Sequence, residues 1–281
     1  MNARQRFGHF AAILVIVVAV VAGLTSSEGC AADDQLKTDS MPWLVTLGLY
    51  GVVGPRFEGS KHHDITPWPI ISWRQEGSKE WIELPKDGLD LPLIETNNLR
   101  AGLVGYWRWQ RDTATIPQRG FTRIGHSRID LSLEAGLFAE YWPADWLRTR
   151  IETREAFLGA RGLIANISSD LVWRPHSAWT FAAGPRLSLA DREFMEDYYG
   201  VDGSQSSASG LPVYRATAGI RSFGTGAFAQ YKMTPSWTTR SFIEYEHLAG
   251  AAGDSPVITA RGSREQIMIG VGLSYTFKAA W

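Results

Sequence analysis

At 281 residues the chain could form one or two soluble domains, so length does not separate a globule from a barrel. Its 28 Lys and Arg nearly cancel 29 Asp and Glu, which leaves no net positive field to attract nucleic acid, and no such partner is expected. Twelve Trp and 28 Gly suit thin strands with an aromatic girdle better than a helix bundle.

Arg4 and Arg6 precede a continuous apolar run over residues 10–24, followed by small and polar residues at 26–32. This is the three-part layout of a secretory signal. The apolar run, about fifteen residues, falls short of the roughly twenty of a transmembrane helix, which weighs against an uncleaved anchor. Cleavage after Ala31 or Ala32 fits the small-residue rule and removes Cys30, the only cysteine, leaving no thiol for a disulfide or metal site. Acylation of Cys30 is disfavoured, because Ser27-Glu28-Gly29 before it lacks the usual Leu and small-residue context. A signal peptide over 1–32 and a single unit over 33–281 are therefore expected. No later stretch approaches eighteen uninterrupted apolar residues, so strands must do any spanning after export.

The first candidate strand, 42–53, sets Trp43, Val45, Leu47 and Leu49 against Thr46, Gly48 and Tyr50. The next, 64–74, contains Pro67 and Pro69, which cannot donate to a ladder and predict a bulge or irregular pairing. A short strand at 79–85 and a weakly patterned one at 88–94 follow, then 99–111. The clearest is 128–141: Ile129, Leu131, Leu133, Ala135, Leu137, Ala139 and Tyr141 share one parity, while Arg128, Asp130, Ser132, Glu134, Gly136 and Glu140 share the other. About ten tilted residues span a bilayer, and few sandwich strands need to be this long. Further strands fall at 147–159, 163–174, 179–190, 212–232, 237–248 and 264–277, with a parity slip near Gly224 that predicts a bulge or break. The total is about twelve, with ten the alternative. Short connections at 75–78, 95–98, 142–146, 175–178 and 233–236 contrast with long ones at 111–127, 191–211 and 249–263, as periplasmic turns contrast with outer loops. The expected fold is all-β: a transmembrane antiparallel β-barrel surrounded by outer-membrane lipid.

Several runs carry a family likeness: AGPRLSLADREFMEDYYGV at 183–201, SGLPVY at 209–214, YEHLAGAAGDSPVI at 245–258 and GVGLSYTF at 270–277, with GPRFEGS at 54–60 and KDGL at 86–89. In these the chain resembles the MipA/OmpV family of outer-membrane proteins, whose founding member is the MltA-interacting protein. The resemblance implies an outer-membrane barrel acting as a non-enzymatic scaffold, with a lytic transglycosylase and a peptidoglycan synthase as partners. Residues 278–281 follow the Tyr-x-Phe ending, so the terminal aromatic is Trp281 or the internal Phe277.

Parity assigns Arg128, Asp130, Glu134, Glu140, Arg150, Glu152, Arg154, Arg186, Arg240, Glu244 and Glu246 to the lumen. They could line a narrow pore, or fill a small barrel with ion pairs; the second is favoured, since twelve strands leave limited room. A small diffusion channel or transporter, and adhesion through the long loops, are the competing functions. His62 and His63 beside Asp64 are types that bind zinc or copper, but neighbours rarely point the same way, and no metal or cofactor is expected. His247, Asp254 and Ser255 are the residue types of a hydrolase triad without a nucleophile signature. Glu244 and Glu246, spaced like paired glycosidase acids, read as lumen polarity, so no enzyme is expected. Trp43, Trp107, Trp109, Trp142, Trp146, Trp173, Trp179, Trp237 and Tyr245 lie near strand ends, as girdle residues do. Short turns leave a scaffold little surface beyond the rim and residues 33–41.

Overall fold

The computed structural model describes residues 42–108, 132–158 and 161–279. The expected signal peptide at 1–32 lies outside them, as do the 111–127 loop and Arg128, Asp130 and Trp109. The described residues form eleven antiparallel strands: β1 (Trp43–Pro55), β2 (His63–Gln75), β3 (Leu89–Glu95), β4 (Leu99–Arg108), β5 (Ser132–Ala144), β6 (Leu147–Leu158), β7 (Leu163–His176), β8 (Trp179–Ala190), β9 (Gly219–Lys232), β10 (Trp237–Leu248) and β11 (Glu265–Ala279). They make one sheet in the order β2-β1-β11-β10-β9-β8-β7-β6-β5-β4-β3, curled into a nearly closed barrel. β1 meets β11 from Trp43↔Ala279 to Val53↔Ile269, which joins the two ends of the described chain.

Period-two alternation sorts side chains between wall faces. On β11, Ser274 is buried while Val271 is 61% exposed; on β5, Glu134 and Glu140 are buried while Leu137 is 61% exposed. The outward residues form an apolar belt far larger than a water-soluble surface usually carries. At the short-turn end, Trp173, Phe181, Trp179 and Tyr231 stack in succession on the outside, and Trp237 meets Tyr275 edge to face. Trp142 departs from the girdle expectation: even parity turns it inward, where it is 2% exposed and its Nε1 donates to Glu140 at 2.8 Å.

The strand count differs from the expected twelve for an identifiable reason. β1 and β2 keep one unbroken register from Trp43↔Gln75 to Pro55↔His63, so Pro67 and Pro69 cause no bulge. They sit instead on an edge strand, where a missing N–H costs no ladder bond. Residues 79–85, expected as the next strand, leave the wall and cross the lumen; the chain rejoins the sheet at β3. Both β2 and β3 therefore run toward the short-turn end, and no ladder joins them. β9 begins at Gly219, not at 212, and its parity slip lies between the pairs Ser188↔Ser222 and Leu189↔Ile220, not at Gly224.

At the opposite end, two of the expected loops are folded caps. α1 (Arg192–Tyr199) starts at Asp191, whose carboxylate accepts from the Phe194 N–H at 2.8 Å, and α2 (Gly203–Ser209) starts with a capping box of Asp202 and Gln205. α3 (Gly250–Gly253) and α4 (Pro256–Arg261) follow β10. Phe194, Met195, Tyr199, Leu248, Ala252 and Ile258 bury one another beneath these helices.

Candidate functional site

The strongest local feature is the inner segment, residues 76–88. Its tip, Leu84-Pro85-Lys86-Asp87, is a turn with Pro in the second position: the Asp87 N–H donates to the Leu84 carbonyl at 3.0 Å, and the Leu84 N–H to the Asp87 carboxylate at 2.9 Å. Gly88 follows at φ +80, where an added Cβ would sit 2.6 Å from the Gly105 carbonyl oxygen. Only glycine reverses the chain into β3 at that spacing. Gly88→Ala is expected to destabilise the barrel by about 1–3 kcal/mol, read as a lowered urea midpoint in detergent micelles.

Below the tip, Ile82 and Leu84 pack into an apolar layer with Tyr50, Trp142, Val172, Phe228 and Phe242 across the middle of the lumen. These wall residues have inward parity, where a water-filled channel would carry polar groups. The segment thus replaces water with packed side chains. Its base is also tied down: Lys79 donates to the Asn97 carbonyl and Glu80 pairs with Lys232 of β9.

The tip carries opposite charges to opposite walls. Lys86 pairs with Glu244 at 2.9 Å and with Glu246, both on β10. Asp87 accepts from Arg148 of β6 at 2.7 Å, and the same guanidinium holds Glu140 at 2.6 Å and Asp170 at 3.3 Å. Arg150 clamps Asp90 through both terminal nitrogens at 2.8 Å, holds Glu152 at 3.0 Å and lies 4.4 Å over the Phe138 ring. Arg186 reaches Asp170 at 2.8 Å and lies 3.6 Å from Glu244. Arg154 lies 3.4 Å from Glu152, 3.6 Å from Glu134 and 4.0 Å over Tyr106. Buried charge persists in such a place only when paired this densely.

The structure therefore places Glu134, Arg150, Glu152, Arg154, Arg186, Glu244 and Glu246 in one network, and Arg240 apart from it, nearer the short turns. Sequence reasoning missed Arg148, although it has the parity of Arg150, Glu152 and Arg154 on β6, and it missed Asp170 on β7, for which no lumen residue is assigned. It also missed Arg221. The bulge in β9 turns Arg221 inward beside Ser222, and there it meets Glu58, Glu246 at 3.3 Å and Ser188 at 2.9 Å. The parity slip was its only trace in sequence.

Two cavities flank the inner segment. Toward the helical cap lies one of about 250 Å³, bordered by Lys86, Arg154, Arg221, Glu58 and Tyr198. Toward the short turns lies one of about 890 Å³, bordered by Trp81, Glu83, Arg100, Lys232 and Arg240.

The other candidates are dispersed. His247 contacts Glu265 at 2.7 Å, Asp254 pairs with Arg264, and the buried Ser255 hydroxyl donates to the Tyr199 carbonyl at 2.7 Å, so these residues form no triad. His62 and His63 are exposed, Asp64 is held by Arg56, and no group of three metal-ligating side chains occurs among the described residues.

A family model described as MltA-interacting protein MipA matches residues 47–277, from β1 through β11. The chain belongs to the MipA family. No curated protein matches it in sequence. Among solved structures, an outer membrane channel from Pseudomonas putida is 8% identical over 89% of this chain and 100% of that one, with a TM-score of 0.42. The CymD monoaromatic hydrocarbon channel is 11% identical over 86% and 90%, at 0.36, and the NanC porin 12% identical over 84% and 100%, at 0.33. At such scores the activities of those channels do not transfer to this family member.

Proposed function

We propose that this protein is an outer-membrane β-barrel closed to solutes, which serves as a non-enzymatic scaffold for peptidoglycan-remodelling enzymes. The observation that carries this reading is the blocked lumen: an apolar layer, a dense ion-pair network and a helical cap lie in series along the axis. A barrel so filled offers its ends, not its bore. The apolar belt supports membrane residence, and family membership supports a partner of the lytic-transglycosylase class, with a peptidoglycan synthase as the second. Residues 1–32 would be removed during export, and the short-turn end would then face the periplasm. There the base of the inner segment adds surface that the turns alone lack.

The experiment has two arms. The wild-type barrel, folded in planar bilayers, is expected to give no single-channel steps. Pull-down from solubilised envelopes is expected to retain a lytic transglycosylase. Regular steps would favour the transporter reading instead; a pull-down without any murein hydrolase or synthase would remove the scaffold.

A further inference from the structure

Sheet order leaves β2 and β3 as facing edges without a ladder between them. Within a bilayer, unpaired backbone groups are costly, and Pro67, Pro69 and Pro92 lower the number of donors along this seam. The outward side chains of β3 that flank it beside the short turns are apolar: Leu91 is 46% exposed and Leu93 66%. Behind the seam lies the 890 Å³ cavity, which extends from Leu91 and Leu93 of β3 to Trp81, Arg100 and Arg240 inside the barrel.

Hydrogen bonding in this cavity is lopsided. Trp81 Nε1 and Arg100 Nε are buried with no acceptor, whereas no buried side-chain acceptor bordering the cavity lacks a donor among the described residues. The Arg100 side chain is only 6% exposed, with Asp90 at 3.3 Å from Nη1 and Glu95 at 4.0 Å from Nε, beyond hydrogen-bond distance. Arg240 donates to two neutral groups, Gln230 at 3.1 Å and Ser274. The four acids bordering the cavity are engaged: Glu76 with Lys278, Glu80 with Lys232, Glu95 beside Arg100, and Glu83 with Ser72 in the field of Arg100 and Arg240. Orphan donors beside an apolar slot call for a molecule that brings both acceptor oxygens and hydrocarbon.

We infer that the short-turn cavity binds one amphiphile with an anionic phosphate or carboxylate head, its head against Trp81, Arg100 and Arg240 and its hydrocarbon tail in the β2–β3 seam. This rests on the membrane placement proposed above. The ligand would reach the site from the adjoining leaflet, through the seam, without crossing the inner segment. Its head would complete the hydrogen bonding that the barrel leaves open, and its tail would cover the unpaired edges.

The mature barrel, extracted in neutral detergent and shown to be folded by heat-modifiable migration, is titrated with phosphatidylglycerol, palmitate and inorganic phosphate, with bound molecules counted by native mass spectrometry. One phosphatidylglycerol or one palmitate per barrel is expected, and the lipid that displaces the other identifies the preferred head. Inorganic phosphate should bind at least about tenfold more weakly. Trp81→Phe and Arg240→Gln should each weaken lipid binding about tenfold, since each removes a donor to a charged group without breaking a close ion pair. Leu93→Glu should do the same from the seam. Failure of folded wild-type barrel to retain either lipid, phosphate binding as tight as lipid, or indifference to all three substitutions would overturn the inference. Folding and membrane fractionation are read separately, so this failure would leave the scaffold reading standing, and loss of the folded, membrane-extracted barrel would sink both.

Discussion

Replacing residues 79–86 with a Gly-Ser link of equal length is expected to turn a silent barrel into one that shows discrete conductance steps in planar bilayers. The substitution leaves every pair in the eleven-stranded ladder untouched, because none of these residues belongs to the sheet. It removes Ile82 and Leu84, together with Trp81 packed against them, from the apolar layer, and so joins the cavities above and below it. It also removes Lys86 and leaves Glu244 and Glu246 with Arg186 and Arg221 alone, but Lys79, Glu80 and Glu83 leave with it, so the net charge of the lumen is unchanged and conductance, not ion preference, is the readout. Folding is checked by heat-modifiable migration. If the folded variant stays silent, closure belongs to the ion-pair network or to the cap of α1 to α4, and the inner segment is not the barrier.

The second large effect is expected at Arg148. Its side chain is fully buried and draws three acids from three parts of the chain to one guanidinium: Glu140 of β5, Asp170 of β7 and Asp87 of the inner segment. Arg148→Met keeps much of the volume but strips these carboxylates of their shared cation. Arg186 still reaches Asp170, while Arg150 remains 3.6 Å from Glu140 and 3.8 Å from Asp87, so the acids would be partly compensated. Removing one partner of a buried ion pair costs about 3–5 kcal/mol, and the remaining cations place the expectation near the lower end. Arg148→Lys should recover little, because a point charge cannot reproduce the planar fork. Combining Arg148→Met with Glu140→Gln should restore part of the loss, since the two sites share an interaction and their effects should not add. Urea unfolding in micelles checks all three variants; a midpoint unchanged in Arg148→Met would mean that the network fills space without stabilising the barrel.

Much of the wall was legible in residue order because a strand with one face in a charged interior and the other on an apolar exterior must alternate every second position. On β5 that alternation alone separates Glu134 and Glu140 from Leu133, Leu137 and Tyr141, and on β6 it separates Arg150, Glu152 and Arg154 from Ile151. It could not reveal the course of residues 79–85. Glu80, Ile82 and Leu84 alternate with Lys79, Trp81 and Glu83 whether the segment lies in the wall or inside it, because both settings offer an apolar neighbour to one face. Its route depends on the proline-bearing edges of β2 and β3 on either side of it failing to pair, and on partners far away in the chain: inward aromatics such as Phe228 and Phe242, and acids and cations that flank the Lys86–Asp87 tip only after the sheet has curled. The same limit applies to Arg221, whose inward turn follows from a bulge measured against β8. Local periodicity determined which residues share a face; what each face meets was decided by closure of the barrel, because that is when distant charges come within reach of one another.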